Sequence, residues 1–117
     1  VYQRYNHYGY NRGSETNYVF ICEVSLGKVY ECKSNEEFQK LTYKGVSAFD
    51  SIQMIGSEIP DPNKNFILND GLVCPNGPLI EVKESKKQNF SRIHDSEYIV
   101  KQIKNVKIRY LLQLTKK

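Results

Sequence analysis

Short β-type segments, each ended by a turn signal, constrain this 117-residue chain more than any other feature. The first segment is the continuous apolar run from Tyr18 to Val24, which is typical of a buried strand. Between 42 and 65, two glycines and two prolines exclude long regular elements: Gly45, Gly56, Pro60 and Pro62. No apolar stretch approaches the roughly 20 residues that a membrane helix requires. We therefore expect a β-rich domain with several short strands and long irregular loops.

Four further segments are predicted as strands because β-branched and aromatic residues dominate them. The first of the four is expected to share a sheet with the run that begins at Tyr18. The segments are Lys28 to Cys32, Leu79 to Val82, Ser96 to Val100 and Val106 to Leu114.

Local signals predict one helix and one hairpin. Ser34, with Glu37 three residues later, forms a capping-box pattern that predicts a short helix near 35–41. An Asp-Gly pair at 70–71 lies between two apolar runs and predicts a hairpin, because these residues tolerate positive φ. We expect little regular structure from 42 to 65, and a charged, flexible loop from 83 to 89.

The formal net charge is +4, from 17 basic and 13 acidic residues. Much of the excess lies in 83–87 and in 101–117. In the second segment the basic residues alternate with apolar ones, which favours the solvated face of a strand. A surface for nucleic acid or another polyanion stays open as the alternative.

Three cysteines form an odd set without CxxC spacing, so neither a disulfide framework nor a zinc site is expected. Cys22 and Cys32 lie in apolar runs, where a free thiol behaves as a small hydrophobe. His7 and His94 are far in sequence from any cysteine pair. This usage fits a reducing compartment, the cytosol or the nucleus.

Three stretches in order resemble the catalytic domain of poly(ADP-ribose) polymerases. Residues 22–27 read CEVSLG, close to the family's G-E-V-A-L-G. Residues 56–62 read GSEIPDP and are followed by Asp-Gly and Cys-Pro-Asn-Gly, as in the family's P-D-P, hairpin and V-P-x-G turn. Residues 96–100 (SEYIV) and 106–112 (VKIRYLL) are similar to N-E-Y-I-V-Y and R-Y-L-L. The resemblance covers about 18–114, and it is most like the DNA-damage-responsive members.

The resemblance implies an α+β, β-rich ADP-ribosyltransferase fold with two packed, mostly antiparallel sheets around a split NAD-binding cleft. Residues 1–117 would be the C-terminal portion of a single catalytic domain. The implied reaction moves ADP-ribose from NAD⁺ to protein acceptors, the protein itself included, or to a growing poly(ADP-ribose) chain, and releases nicotinamide. NAD⁺ is then a substrate and no metal is implied. DNA would be contacted only through domains outside this chain, no membrane is involved, and the location is nuclear, with the cytoplasm as an alternative.

The resemblance places the catalytic glutamate at Glu97, which is also a candidate NAD⁺ ligand. An oxocarbenium-like cation develops as the glycosidic bond breaks, and a carboxylate beside the ribose stabilises it and orients the sugar. The family stacks nicotinamide on a tyrosine, and an ungapped count gives Tyr5, with Tyr2 or Tyr8 if the spacing shifts. The family's acceptor-side loop corresponds to 51–56, where its usual histidine and lysines are mostly absent.

Some family features are absent or changed. The histidine and the first tyrosine of the family's donor site would lie upstream, and the first residues resemble a cut end. Lys101 replaces an aromatic, which we expect to exchange a packing residue for a solvated one.

An inactive ADP-ribosyltransferase-like module that binds ADP-ribose or a partner is the main alternative to an enzyme. A toxin-like mono-transferase is disfavoured by the R-Y-L-L and P-D-P segments, and poly- versus mono-transfer stays open.

Overall fold

A computed structural model describes residues 16–41 and 45–115, and the strand-rich α+β class expected from the sequence is confirmed. Its elements in chain order are β1 (Thr16–Val24), β2 (Val29–Cys32), α1 (Asn35–Lys40), β3 (Ser51–Met54), β4 (Glu58–Pro60), β5 (Phe66–Ile67), β6 (Val73–Cys74), β7 (Leu79–Glu81), β8 (Glu97–Val100) and β9 (Val106–Thr115). Single 3₁₀ turns cover Pro62–Lys64, Lys83–Lys86 and Ile103–Asn105. Within the described ranges, no helix is both long and apolar enough to cross a membrane.

The described strands form four small sheets, in which antiparallel pairing dominates. Three are antiparallel pairs: β1 with β9, β4 with β7, and β5 with β6. The fourth has the order β2-β3-β8, with β2 parallel to β3 and β8 antiparallel to it. The expectation that β1 and β2 share a sheet is therefore wrong. Gly27, at φ +58°, lies in the turn between the two strands, and β2 pairs with β3 instead of with β1.

The three-stranded sheet provides most of the buried core. Ile52 and Met54 of β3 are buried with Cys32 of β2 and Val46 of the preceding turn. The expectation of little regular structure from 42 to 65 is wrong for β3 and β4. The residues Ser51–Met54 alternate in polarity over only four positions, so this strand is stabilised by its two neighbours in the sheet and has a weak local signal.

The helix α1 forms where the capping pattern predicts it. The Ser34 Oγ accepts a hydrogen bond from the Glu37 N–H at 3.0 Å. The Glu37 carboxylate accepts from the Lys33 N–H at 3.0 Å and from the Tyr30 hydroxyl at 2.9 Å. The hydrogen bond from Lys33 is the main reason that the pKa of Glu37 is lowered; burial opposes it and the hydroxyl of Tyr30 adds to it. The helix ends at Lys40, one residue before the predicted limit.

The predicted hairpin is confirmed as β5–β6, in which Ile67 pairs with Val73. Gly71 adopts φ +84°, a conformation that side chains with a Cβ rarely adopt. The Asp70 carboxylate accepts a hydrogen bond from the Leu72 N–H at 3.0 Å and closes the turn. The segment expected to be a flexible loop begins instead with a 3₁₀ turn, where Lys86 pairs with Glu81 at 3.4 Å.

Strands β1 and β9 form a two-stranded ribbon, called here the β1–β9 ribbon. Both of its faces are apolar and exposed: Phe20 and Leu111, paired on one face, are each 57% exposed, and Tyr110, on the other, is 66% exposed. The prediction that the run from Tyr18 to Val24 is buried is therefore wrong, because β9 is the one strand that pairs with it among the described residues. The two basic residues of β9, Lys107 and Arg109, share this exposure with the apolar residues.

All three cysteines are free, but they differ in exposure. Cys32 is fully buried and its thiol contacts the Ser34 carbonyl at 3.4 Å. Burial raises the pKa of the Cys32 thiol, which keeps it in the less reactive protonated form. Cys22 and Cys74 are half-buried.

Candidate active site

Glu97 is the first residue of β8 and pairs across the sheet with Met54 of the core. Directly opposed residues of an antiparallel pair project from the same face, so Glu97 shares a face with Met54, and its neighbour Tyr98 shares the other face with Gln53. The Glu97 side chain is exposed. Within 16–41 and 45–115, no hydrogen bond or ion pair involves its carboxylate. A carboxylate on a strand of the core sheet is therefore open to a ligand.

The segment that leads into Glu97 is fixed by a close approach to Gly56. The Gly56 N–H donates to the Ser96 Oγ at 3.0 Å. Two further backbone bonds run alongside it, from Ser57 to the Ile93 carbonyl at 3.0 Å and from Glu58 to the His94 carbonyl at 3.2 Å. These contacts set the position of the backbone one residue before the candidate catalytic carboxylate.

A Cβ at residue 56 would collide with this backbone. It would lie 2.7 Å from the Ser96 nitrogen and 2.6 Å from the Asp95 carbonyl carbon, and closer still to the His94 carbonyl oxygen. Glycine is required here for space, since no positive φ is involved. Sequence reasoning used Gly56 only as part of a motif and missed this positioning role.

A groove with a volume of about 590 Å³ lies against the other face of β8. Ser96 and Tyr98, the two residues that flank Glu97, line it, whereas Glu97 does not. Glu58 and Asp95 line it from either side of His94, whose imidazole contacts the Glu58 carboxylate at 3.2 Å and the Asp95 carboxylate at 3.3 Å. No sequence pattern predicts this grouping, because Glu58 lies far along the chain from His94 and Asp95.

Tyr98 lies at the sheet side of the groove, opposite Gln53. Burial raises the pKa of the Tyr98 phenol, and the nearby charge of Glu31 raises it further. The phenol is therefore neutral at physiological pH, and it offers the groove an aromatic face and a hydroxyl rather than a charge.

The segment 51–56, expected to be the acceptor-side loop, is mostly the strand β3. The Asp50 carboxylate that precedes it accepts a hydrogen bond from the Lys28 N–H at 2.6 Å and so has a structural partner. Ser51 is buried and donates to the Leu26 carbonyl at 2.8 Å. Gln53 alone among these three residues points into the groove.

Lys101 follows β8 and is bonded rather than simply solvated. Its ammonium group donates to the Phe49 carbonyl at 2.5 Å and also to the Val46 carbonyl. Lys101 is exposed, as expected of a solvated residue, but its ammonium group also has two backbone partners. Lys101 attaches the turn before β3 to the end of β8.

The two tyrosines predicted to contact nicotinamide, Tyr5 and Tyr2, lie outside the described residues, as does Tyr8. Their assignment stays a prediction. The structure thus describes one of the predicted site residues, Glu97, and leaves the tyrosines to be tested by experiment.

Comparison with known proteins identifies the family. The chain matches the model of the poly(ADP-ribose) polymerase catalytic domain over residues 4–116. A poly [ADP-ribose] polymerase of Drosophila melanogaster is 33% identical over 101 residues, which are 86% of this chain and 9% of the fly protein. A protein mono-ADP-ribosyltransferase PARP3 of Mus musculus is 32% identical over 105 residues, 87% of this chain and 19% of the mouse protein.

A third relative, poly [ADP-ribose] polymerase 2 of Arabidopsis thaliana, is 31% identical over 110 residues, 89% of this chain and 15% of the plant protein. The chain therefore spans less than a fifth of the length of these three relatives. The resemblance seen in the sequence motifs is confirmed: the chain belongs to the family of poly(ADP-ribose) polymerase catalytic domains.

Proposed function

We propose that this chain is the C-terminal portion of the catalytic domain of an NAD⁺-dependent ADP-ribosyltransferase, with Glu97 as its catalytic glutamate. The main support is the position of Glu97: an exposed carboxylate on a strand whose register is fixed by the core. The family match over nearly the whole chain supports the same reaction class.

The chemistry requires such a group. The bond between the ribose C1′ and the nicotinamide nitrogen breaks, and its electron pair leaves with nicotinamide. Positive charge then develops on the ribose, and a fixed carboxylate lowers the energy of that state. The acceptor forms a new bond at C1′ and loses its proton, which the same carboxylate assists by polarising an acceptor hydroxyl. Glu97 serves both steps without moving its strand.

Tyr5 is proposed to stack on the nicotinamide ring, with Tyr2 as the next candidate. An electron-poor pyridinium is attracted to the face of an electron-rich aromatic ring. The acceptors proposed are proteins, including the protein itself, and the proposed location is the nucleus. Relatives named as poly- and as mono-ADP-ribosyltransferases are about equally similar to this chain. Whether the product is a polymer or a single ADP-ribose unit is therefore decided by the automodification assay.

The test is automodification of the full-length protein with labelled NAD⁺, compared with Glu97→Gln. Glutamine keeps the size of the side chain and removes its charge, so we expect a loss of at least a hundredfold in transfer rate, of the order found for removing one electrostatic group from an active site. Glu36→Gln, which removes an exposed carboxylate on α1, is the matched control and should keep wild-type activity.

The product pattern decides the remaining question. A long smear for wild type indicates a polymerase, and a single sharp band indicates a mono-transferase. If Glu97→Gln reacts as fast as wild type, Glu97 is not the catalytic glutamate. If the wild-type protein transfers nothing, the chain is an inactive binding module and the enzyme proposal fails.

A further inference from the structure

The groove behind β8 is negatively charged in a chain that is positive overall. Its lining includes the carboxylates of Glu58 and Asp95 and, among the described residues, no lysine or arginine. The chain as a whole has a net charge of +4. Like charges gathered in a cleft with apolar walls raise the local potential and attract ions of the opposite sign. The groove therefore favours a cationic ligand.

The carboxylates of Glu58 and Asp95 lie close enough together to contact the same side chain. The imidazole of His94 lies between them and contacts Glu58 at one nitrogen and Asp95 at the other. The His94 side chain is 66% exposed, so an arginine side chain can displace it from the two carboxylates at little cost in packing. A planar guanidinium has several N–H donors and suits such a pair of carboxylates better than a compact ammonium group.

The rest of the groove suits the remainder of a peptide. Ile59, Pro60, Pro75 and Leu79 supply apolar walls, on which the aliphatic stem of a long cationic side chain can lie. Tyr98 supplies an aromatic face for a guanidinium. A volume of about 590 Å³ is in the range of pockets that hold a drug-sized ligand, which is large enough for one arginine side chain and its immediate backbone.

We propose that this groove binds an extended, arginine-containing segment of a partner protein, with the guanidinium between Glu58 and Asp95. The bound segment lies on the side of β8 opposite to Glu97. This docking function is separate from the transfer reaction and does not depend on Glu97.

The test uses the full-length protein and a fluorescein-labelled decapeptide of alternating glycine and arginine, in the absence of NAD⁺. Fluorescence anisotropy measures Kd at physiological salt. We expect Glu58→Gln combined with Asp95→Asn to weaken binding about tenfold or more, because two half-exposed charge pairs are lost. Glu81→Gln is the matched control, since Glu81 is a nearby strand carboxylate that does not line the groove and should leave Kd unchanged.

A second variant tests the groove without relying on the carboxylates. Leu79 is 57% exposed in the groove wall, so Leu79→Arg places a cation there with little effect on folding and should also abolish binding. Failure of the wild-type protein to bind the peptide overturns the proposal. Equal weakening by Glu81→Gln overturns it too, because binding would then follow net charge alone. A glycine-lysine decapeptide of the same length that binds as tightly refutes the preference for arginine.

Discussion

Single residues determine how the candidate catalytic carboxylate is placed. Gly56 makes room for the backbone of 94–96, and Ser96 accepts a hydrogen bond from the Gly56 N–H. Lys101, at the other end of β8, attaches the strand to the turn that includes Val46 and Phe49. The orientation of Glu97 therefore depends on residues that would not themselves touch a substrate.

Replacing Gly56 with alanine should move the strand that positions Glu97. The added methyl group meets backbone atoms, which cannot rotate away, so we expect a loss of about 2 kcal/mol in the free energy of unfolding. Transfer activity should fall further than this loss of stability explains. Urea denaturation and the automodification assay, run on the same preparation, measure the two effects.

Gly71→Ala is the control for this prediction. Nothing lies within 4 Å of a Cβ at Gly71, but its φ of +84° makes any side chain strained, at about 1 kcal/mol. This variant should lose stability and keep its activity, because among the described residues no hydrogen bond or ion pair joins the β5–β6 hairpin to Glu97. Equal activity in Gly56→Ala and Gly71→Ala would contradict a positioning role for Gly56.

Replacing Lys101 with methionine should release the turn before β3. The ammonium group bonds two carbonyls, of which the Val46 carbonyl is part-buried, and a hydrogen bond from a charged donor is worth about 2 kcal/mol in stability. We expect faster amide exchange at Phe49, whose N–H donates to the Val46 carbonyl within the same turn. Lys104→Met, at an exposed position beyond β8, should leave this exchange rate unchanged.

At the scale of elements, α1 and the β5–β6 hairpin are stabilised locally, whereas β3 is stabilised by its neighbours in the sheet. Ser34 caps the N-terminus of the helix, and the Glu37 carboxylate accepts a hydrogen bond from the Lys33 N–H, so both contacts join residues within four positions of each other. The hairpin owes its turn to Asp70 and Gly71. Local stabilisation of this kind is readable from the sequence, and it also responds to pH.

Acid should weaken α1 through Glu37. Its pKa is lowered below the ordinary value of 4.5, chiefly by the bond from the Lys33 N–H. A carboxyl group with a lowered folded-state pKa contributes stability above its ordinary value and loses it as the pH falls through the lowered one. We expect Glu37→Gln to be less stable than wild type at pH 6, by less than about 1 kcal/mol because water screens the group.

This difference should shrink as the pH falls below about 4.5. Urea denaturation of both proteins at several pH values measures it. Glu84→Gln, which removes a carboxylate outside α1 whose side chain is 43% exposed, should not change the pH dependence. If the difference in free energy of unfolding between Glu37→Gln and wild type stays constant down to pH 3, the lowered pKa of Glu37 is not its cause.

The elements that sequence reasoning predicted are those with local causes. Hydrophobic runs located β1, β2, β8 and β9, and turn residues located the β5–β6 hairpin. The pairing of β2 with β3 and of β1 with β9 could not be predicted from the sequence, because strand pairing is decided by contacts between distant parts of the chain. For the candidate site, the motif located Glu97, but the approach of Gly56 to Ser96 and the groove around His94 arise only in three dimensions.

At the scale of the whole molecule, the β1–β9 ribbon leaves a large apolar surface exposed. Tyr18 is 63% exposed and Tyr110 is 66% exposed, and the ribbon is apolar on both faces. Contiguous apolar patches of this kind mark surfaces that associate with other protein. The 117-residue chain, expressed alone, should therefore self-associate in a concentration-dependent way.

Sedimentation velocity of the isolated chain measures this association. Phe20→Lys combined with Tyr110→Lys places a charge on each face of the ribbon, and we expect it to shift the population towards monomer. Lys107→Gln, on the same strand, removes a charge without removing apolar surface or placing two carboxylates opposite each other, and it should have little effect. A monomeric wild-type chain at all concentrations would show that the ribbon does not drive association.

The pairing of β1 with β9 also has a consequence for how the chain folds during synthesis. Thr16 pairs with Thr115, so the first described strand pairs with the last described one, which is synthesised about a hundred residues later. Pairing between segments so distant along the chain is slow, because most of the intervening chain must be ordered first. The nascent chain must therefore carry β1 without its partner strand until translation of these residues is complete, which is the period in which a chaperone would be needed most.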